Sequence, residues 1–303
     1  MDDGANALRL DAERLAQTLP PLLVAAERVA ATVSQGVHGR RRVGQGETFW
    51  QYRRYQSGDS TQSIDWRQSA KAQPVYVRET EWEAAQSVWL WRDGSASMNF
   101  RSGIALATKR ERASLLTMAL AVLLVRGGER VAAMGSGVPP ATGRAGLMRI
   151  ANWLDSDGPG GPGAPGPEPI PRHARVVLVG DFLSSLNETR DVVAQFRAQG
   201  VRGHMVQVLD PAETTLPFDG RVWFEGPEGE GDLLVGRVEG VREAYAEIFR
   251  RHEAGLRAIA ELAGWSFAVH WPEHPPETAL MGMYLALSMP AGDGAGLSDS
   301  GPG

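Results

Sequence analysis

The chain has 303 residues, of which 43% are hydrophobic, with a formal charge of −5 and no cysteine. That length and apolar share suffice for one large α/β domain, or for one domain with a small companion. The mild acidity argues against general nucleic-acid affinity, and the missing cysteines remove disulfides and thiolate metal sites. No basic start followed by an apolar core and a small-residue cleavage site is visible. The longest apolar run, residues 113–125, contains Ser114 and Thr117 and falls short of the roughly 20 residues of a membrane span. These features predict a cytoplasmic protein.

In chain order, residues 8–33 carry leucines and a valine at helix-compatible spacing, with a break at Pro20-Pro21. A glycine-rich basic stretch follows at 36–46, including Arg40-Arg41-Arg42, and reads as a solvated loop or edge strand. Residues 47–82 interleave aromatics, arginines and acids. They read as an appendage stapled by Arg–carboxylate forks and Arg–aromatic stacking, or as a docking surface.

Ser87-Val88-Trp89-Leu90-Trp91 is apolar on both alternating faces. That is the mark of a central strand in a covered sheet. It runs into Asp93-Gly94-Ser95-Ala96-Ser97, where one carboxylate and two hydroxyls stand at i, i+2 and i+4. Hard oxygen donors of this kind suit Mg²⁺ or Mn²⁺, and open α/β sheets place ligands at the carboxyl ends of their strands.

Downstream, the pattern predicts a helix over 104–126 closed by Gly127-Gly128, a strand at 130–134 and a helix at 144–154. Residues 157–171 are dense in Gly and Pro and read as a mobile surface linker. A second central strand spans 175–180 and again ends in an acid, Asp181. A helix at 187–199 and a strand at 204–209 follow, and then a short β excursion within 216–239. A long helix at 241–263, a last strand at 265–270, a helix at 277–288 and a disordered tail from 290 complete the chain.

Strands alternating with helices over 83–289 predict a doubly wound, mostly parallel α/β sheet with helices on both faces, preceded by an N-terminal region, 1–82. In such a sheet Asp93 and Asp181 lie side by side. Thr142, in the Gly/Pro loop ahead of a helix, is either a helix cap or a further hydroxyl for a metal or its water. The candidate metal set is therefore Asp93, Ser95, Ser97, Thr142 and Asp181.

The set resembles the metal-ion-dependent adhesion site of von Willebrand factor A-like domains. The stretches Gly44-Gln45-Gly46-Glu47-Thr48-Phe49, Arg53-Arg54-Tyr55-Gln56-Ser57-Gly58-Asp59 and Ile64-Asp65-Trp66-Arg67 lie upstream, and Lys71 and Val77-Arg78-Glu79 continue them. They resemble the signature of domain of unknown function 58, a bacterial family in which this block precedes a von Willebrand A-like domain. The resemblance spans roughly residues 30–270. It implies a non-catalytic binding module that accompanies AAA+ ATPases of the MoxR type. In such a module an acidic side chain of the partner, either the ATPase or its client, completes the metal's coordination. Thr108 and Ser136 are substitutes for Thr142 in that pattern.

Three other readings compete with it. One is a metal-dependent hydrolase, although Ser95 stands where a phosphatase loop has its second acid. Another is a serine hydrolase, although Ser95 lacks the flanking glycines of a nucleophile elbow and the histidines are scattered. The third is a metal-independent scaffold that uses the N-terminal block.

Overall fold

The computed structural model describes residues 21–38, 48–55, 64–71, 74–81, 86–156 and 161–288. The chain divides into two compact units, residues 35–86 and the remainder. The expectations for residues 8–20, the arginine triplet at 40–42 and the tail from 290 fall outside the described residues.

Helix α1 (Pro21–His38) opens on a proline, whose fixed φ suits the first helical position. Leu23, Ala26, Ala30 and Val33 form its buried stripe, at the spacing of one helix face. Up to residue 34 the helix counts with the larger unit, whereas the sequence grouping of 1–82 set it with the aromatic and basic block.

The smaller unit holds an antiparallel pair, β1 (Thr48–Arg54) and β2 (Tyr76–Glu81), with an irregularity between Phe49 and Gln51. A single helical turn, α2 (Trp66–Ser69), lies between them in sequence. The Ser69 hydroxyl donates to the Asp65 carbonyl (2.7 Å) and accepts from the Tyr76 amide (2.9 Å), which ties that turn to the start of β2.

The larger unit is built on five parallel strands: β3 (Ser87–Arg92), β4 (Arg130–Ala133), β5 (Arg175–Gly180), β6 (Arg202–Val208) and β9 (Ser266–His270). Their order across the sheet is β4-β3-β5-β6-β9. The first strand in sequence therefore lies inside the sheet, between the second and the third. The chain winds outward from it in both directions, and the point of reversal falls between β3 and β5. The residues of β3 are buried from Val88 to Arg92, as its two-faced apolar pattern requires.

On one side of the sheet Trp89, Trp91, Val176, Leu178 and Met205 pack with Val193 and Phe196 of α5 (Leu186–Ala198). Leu256, Ile259 and Ala260 of α7 (Arg242–Ala263) join the same core. Helix α3 (Lys109–Arg126) contacts β3 to β6 and packs against α4 (Gly143–Ser156) and α8 (Pro276–Ser288). The mixed α/β class and the parallel sheet expected from the alternation are both present.

Two expectations are corrected. Helix α3 begins at Lys109 rather than 104, because Thr108 and Glu111 form a reciprocal capping box that fixes its first turn. The Gly/Pro-rich stretch does not behave as a free linker over its described part: the Gly94 amide donates to the Pro162 carbonyl (3.3 Å), and Gly163 abuts Ser95.

A one-turn helix, α6 (Pro211–Thr215), follows β6 and is capped by Asp210. The β excursion is a hairpin of β7 (Val222–Phe224) and β8 (Leu233–Val235) with antiparallel pairing, at the places the sequence marked.

Candidate functional site

Neighbouring strands β3, β5 and β6 all run out into aspartate: Asp93, Asp181 and, one residue beyond Leu209, Asp210. Their environments differ. Asp93 still belongs to the ladder, since its amide donates to the Val179 carbonyl (2.9 Å). Its side chain is 1% exposed, and Oδ1 accepts the Ser95 amide (2.9 Å). No ion pair is formed by Asp93 among the described residues. Burial, followed by repulsion from Asp181 and Glu228, pushes its carboxyl up to about 7, against hydrogen bonds from Ser95.

The close approach of the two strand ends depends on Gly180. A Cβ there would stand 2.7 Å from Asp93 Cβ, so no other residue fits without displacing the acid.

Asp181 is the better-supported acid. Its Oδ2 accepts the Ser97 hydroxyl (2.6 Å) and the Lys109 ammonium (2.8 Å), and its Oδ1 accepts the Leu183 amide (3.2 Å). Ser97 Oγ also lies 3.0 Å from Ser95 Oγ. Asp93, Ser95, Ser97 and Asp181 thus form one continuous chain of oxygen donors.

The loop after Asp181 is held under strain. Phe182 has φ +50, in the left-handed region. Three contacts hold it there: Gln207 Nε2 donates to the Asp181 carbonyl (2.9 Å), His252 Nε2 lies 2.7 Å from the Phe182 carbonyl, and the Phe182 ring packs against Trp91.

Asp210, by contrast, is used up locally. It accepts the Ala212 amide (2.9 Å) as a helix cap and the Ser102 amide (2.8 Å).

Thr142 is not brought to this group. It is exposed and follows Ala141, which bridges Val131 near the start of β4. Val131 pairs with Val88 at the amino end of β3, so Thr142 lies toward the opposite end of the sheet from Asp93. Its place is at the entrance to α4, where its carbonyl accepts the Gly146 amide (3.4 Å). Neither substitute replaces it: Thr108 caps α3, and the Ser136 hydroxyl donates to the Ala133 carbonyl within its own turn. The third segment beside Ser95 is Gly163, which offers backbone only.

The sequence reading overlooked Lys109, Glu213 and Glu228. Lys109 is fully buried and bridges Asp181 to Glu213 Oε1 (2.5 Å). Burial alone would lower its amine, but the two carboxylates outweigh that and hold it above the ordinary lysine range. Burial raises Glu213 despite Lys109. Glu228, on the β7–β8 turn, accepts the Ser97 amide at 3.4 Å. Two signals were readable in the sequence. Thr108-x-x-Glu111 and Asp210-x-x-Glu213 are both capping boxes, and each fixes a helix start whose first turn carries one partner of the Lys109–Glu213 pair.

The site opens into a cavity of about 1000 Å³ lined by the Asp93 loop, Gly163, the Asp181 loop and the β7–β8 hairpin. Asp93, Ser95, Ser97 and Asp181 supply four oxygen donors of the type a small hard cation takes. A buried carboxyl whose side chain forms no ion pair among the described residues, facing two further acids, favours an added positive charge. The residues therefore fit a divalent ion held by two loops, with Lys109 competing for one oxygen of Asp181. No cluster of three or more His, Cys, Asp or Glu with metal-holding geometry occurs among the described residues, so hydroxyls would have to complete such a site.

A family model described as protein of unknown function DUF58 matches residues 51–255. The chain belongs to the DUF58 family. Curated relatives of this DUF58 protein include uncharacterized proteins of Mycobacterium tuberculosis and Mycobacterium bovis. Each is 27% identical over 266 residues, covering 82% of this chain and 81% of the relative.

Among solved structures, an aerotolerance-related membrane protein from Bacteroides fragilis is 15% identical with a TM-score of 0.41, covering 67% of this chain and 98% of that one. The conserved hypothetical protein BatB from Bacteroides thetaiotaomicron is 12% identical with a TM-score of 0.40, covering 66% and 98%. Among the described residues of the DUF58 chain, no helix is long and apolar enough to cross a membrane.

Proposed function

We propose that this DUF58 protein is a non-catalytic binding module of von Willebrand A-like architecture. In this reading it takes Mg²⁺ or Mn²⁺ at the β3/β5 switch point and a protein partner through that ion. Asp93, Ser95 and Ser97 hold the ion, and Asp181 supports it directly or through water. Bound there, the ion supplies a Lewis-acidic position for a carboxylate of the partner. The partner is a MoxR-type AAA+ ATPase or its client, a reading that rests on the family resemblance alone.

The observation that carries the proposal is Asp93. It is an acid buried at a strand end whose side chain forms no ion pair among the described residues, beside two hydroxyls and a second acid. We read the arrangement as suited to binding, because Asp93 is given to the ion and two further acids beside it are already engaged. Asp181 and Glu213 are paired with Lys109.

Lys109 favours a second reading, in which the buried ammonium already serves as the site's cation and partner binding needs no metal.

One experiment separates the two. The purified chain and its Asp93→Ala variant are titrated with Mg²⁺ by calorimetry. Each is then tested for capture of a MoxR-type ATPase from the same genome, with Mg²⁺ and with chelator. Magnesium binding and capture confined to the unmodified chain with metal support the proposal. Equal capture in all four conditions overturns it and leaves the Lys109 reading.

A further inference from the structure

The hairpin wall of the cavity has its own chemistry, independent of the ion. Among the described residues, seven acidic side chains line the cavity and no Lys, Arg or His does. Two of the seven, Asp181 and Glu213, share the single positive charge of Lys109. Asp93 is 1% exposed at the floor and forms no ion pair among the described residues.

The other four, Glu225, Glu228, Glu230 and Asp232, stand on the turn between β7 and β8. That turn has a defined shape. The Gly229 amide donates to the Gly226 carbonyl (3.4 Å), the Glu228 amide donates to Glu230 Oε2 (3.0 Å), and a Cβ on Gly226 would lie 2.5 Å from the Gly231 carbonyl oxygen.

Aromatic residues line the same cavity. Phe218 and Phe224 meet edge-on at 6.0 Å, and Trp223 and Tyr245 also line the space. Trp223 is 55% exposed, and on the paired strand Leu233 is 63% and Leu234 41% exposed. A wall of aromatic faces together with a rim of carboxylates matches a guanidinium or ammonium group on an aliphatic stem, since the rings take the cation's face and the acids its protons. An anionic segment would meet, at this rim, four acids that form no ion pair among the described residues.

We infer that the β7–β8 hairpin groove is a docking site for an extended, arginine- or lysine-bearing segment of a partner protein, with the aromatic wall packing its aliphatic parts. This inference goes beyond the metal reading and rests on different residues. With an ion on the floor, the same segment would carry its metal-seeking carboxylate between basic neighbours.

The test uses the full chain in chelator, so that metal plays no part. A fluorescein-labelled dodecapeptide alternating arginine and leucine is titrated by anisotropy, with a glutamate–leucine peptide as its counterpart. The arginine peptide should bind, and more weakly as salt rises. Neutralising the exposed rim with E225Q/E230Q/D232N should weaken binding by about tenfold. Trp223→Ala should weaken binding at high salt as well, where only the aromatic contact is left to lose.

Equal affinity of the rim variant and the unmodified chain would overturn the inference, as would no binding or preference for the glutamate peptide. Failure of the metal reading would leave these outcomes unchanged.

Discussion

Lys109 Nζ lies 2.8 Å from Asp181 Oδ2 and 2.5 Å from Glu213 Oε1, and the lysine side chain has no exposed surface. Helix α3 therefore delivers its first residue as a counter-charge beneath two loops. Replacing it with an apolar residue of similar length strands two carboxylates in a buried setting. Lys109→Met is expected to cost about 3–5 kcal/mol. Glu213→Gln in the same background should recover part of that loss. Urea unfolding of both variants checks it, and an unchanged midpoint for Lys109→Met would count against the buried bridge.

Asp93 makes stability depend on pH in the opposite sense to an ordinary salt-bridged acid. Its folded carboxyl titrates near 7, above the ordinary 3.8. Between those values the folded chain keeps a proton that the unfolded chain releases, so stability falls as pH rises through that window. At about 1.4 kcal/mol per pKa unit, the full cost above pH 7 is on the order of 2–4 kcal/mol. Asp93→Asn should therefore raise the melting temperature at pH 8 in chelator and change it little at pH 4. If the ion binds as proposed, Mg²⁺ should raise the melting temperature of the unmodified chain at pH 8 and leave Asp93→Asn unmoved.

His204 has the reverse dependence. Its Nδ1 lies 2.6 Å from Ser266 Oγ, linking β6 to β9, and burial lowers the imidazole to about 4 from 6.5. The unfolded chain takes up a proton below 6.5 that the folded chain refuses until about pH 4. Stability contributed by the neutral ring is complete above 6.5 and is lost as pH falls through that range, by about 3 kcal/mol in all. In denaturant titrations between pH 7 and 4, His204→Asn should show a shallower slope than the unmodified chain. Parallel slopes would contradict the assignment.

Gly203 is required by its neighbour across the sheet. A Cβ at this position would fall 2.3 Å from the Trp265 ring, which is 4% exposed and donates its Nε1–H to the Val201 carbonyl. The ring stacks on Phe196 and has nowhere to go. Gly203→Ala should destabilise by about 1–3 kcal/mol, read as a lowered urea midpoint with an unchanged slope.

The sheet was readable from the sequence because its strands carry the evidence on themselves. Ser87 to Trp91 and Val176 to Val179 are apolar on both faces, and only a covered central strand tolerates that. The hairpin was readable for a related reason, two short apolar runs separated by glycines and acids. The site was half legible. Asp93, Ser95, Ser97 and Asp181 converge because strand ends in a parallel sheet must. Thr142 was misplaced because a loop's position in sequence does not say at which end of the sheet it lies, and the Ala141–Val131 bridge decides that. Lys109 stayed hidden inside Lys109-Arg110-Glu111-Arg112, a run that reads as a solvated helix start. Only the fold turns its first residue inward.

The peptide that crosses at Pro162 and Gly163 has one more consequence, for rates rather than affinities. Among the described residues, a backbone-only neighbour leaves one flank of the oxygen cluster without a side-chain donor. A hard ion seated there would shed fewer of its waters on arrival and regain fewer on departure. If the ion binds as proposed, it would exchange readily with the surrounding pool. The site would then report the momentary concentration of free divalent ion, and a partner held through it would be released as quickly as the ion itself.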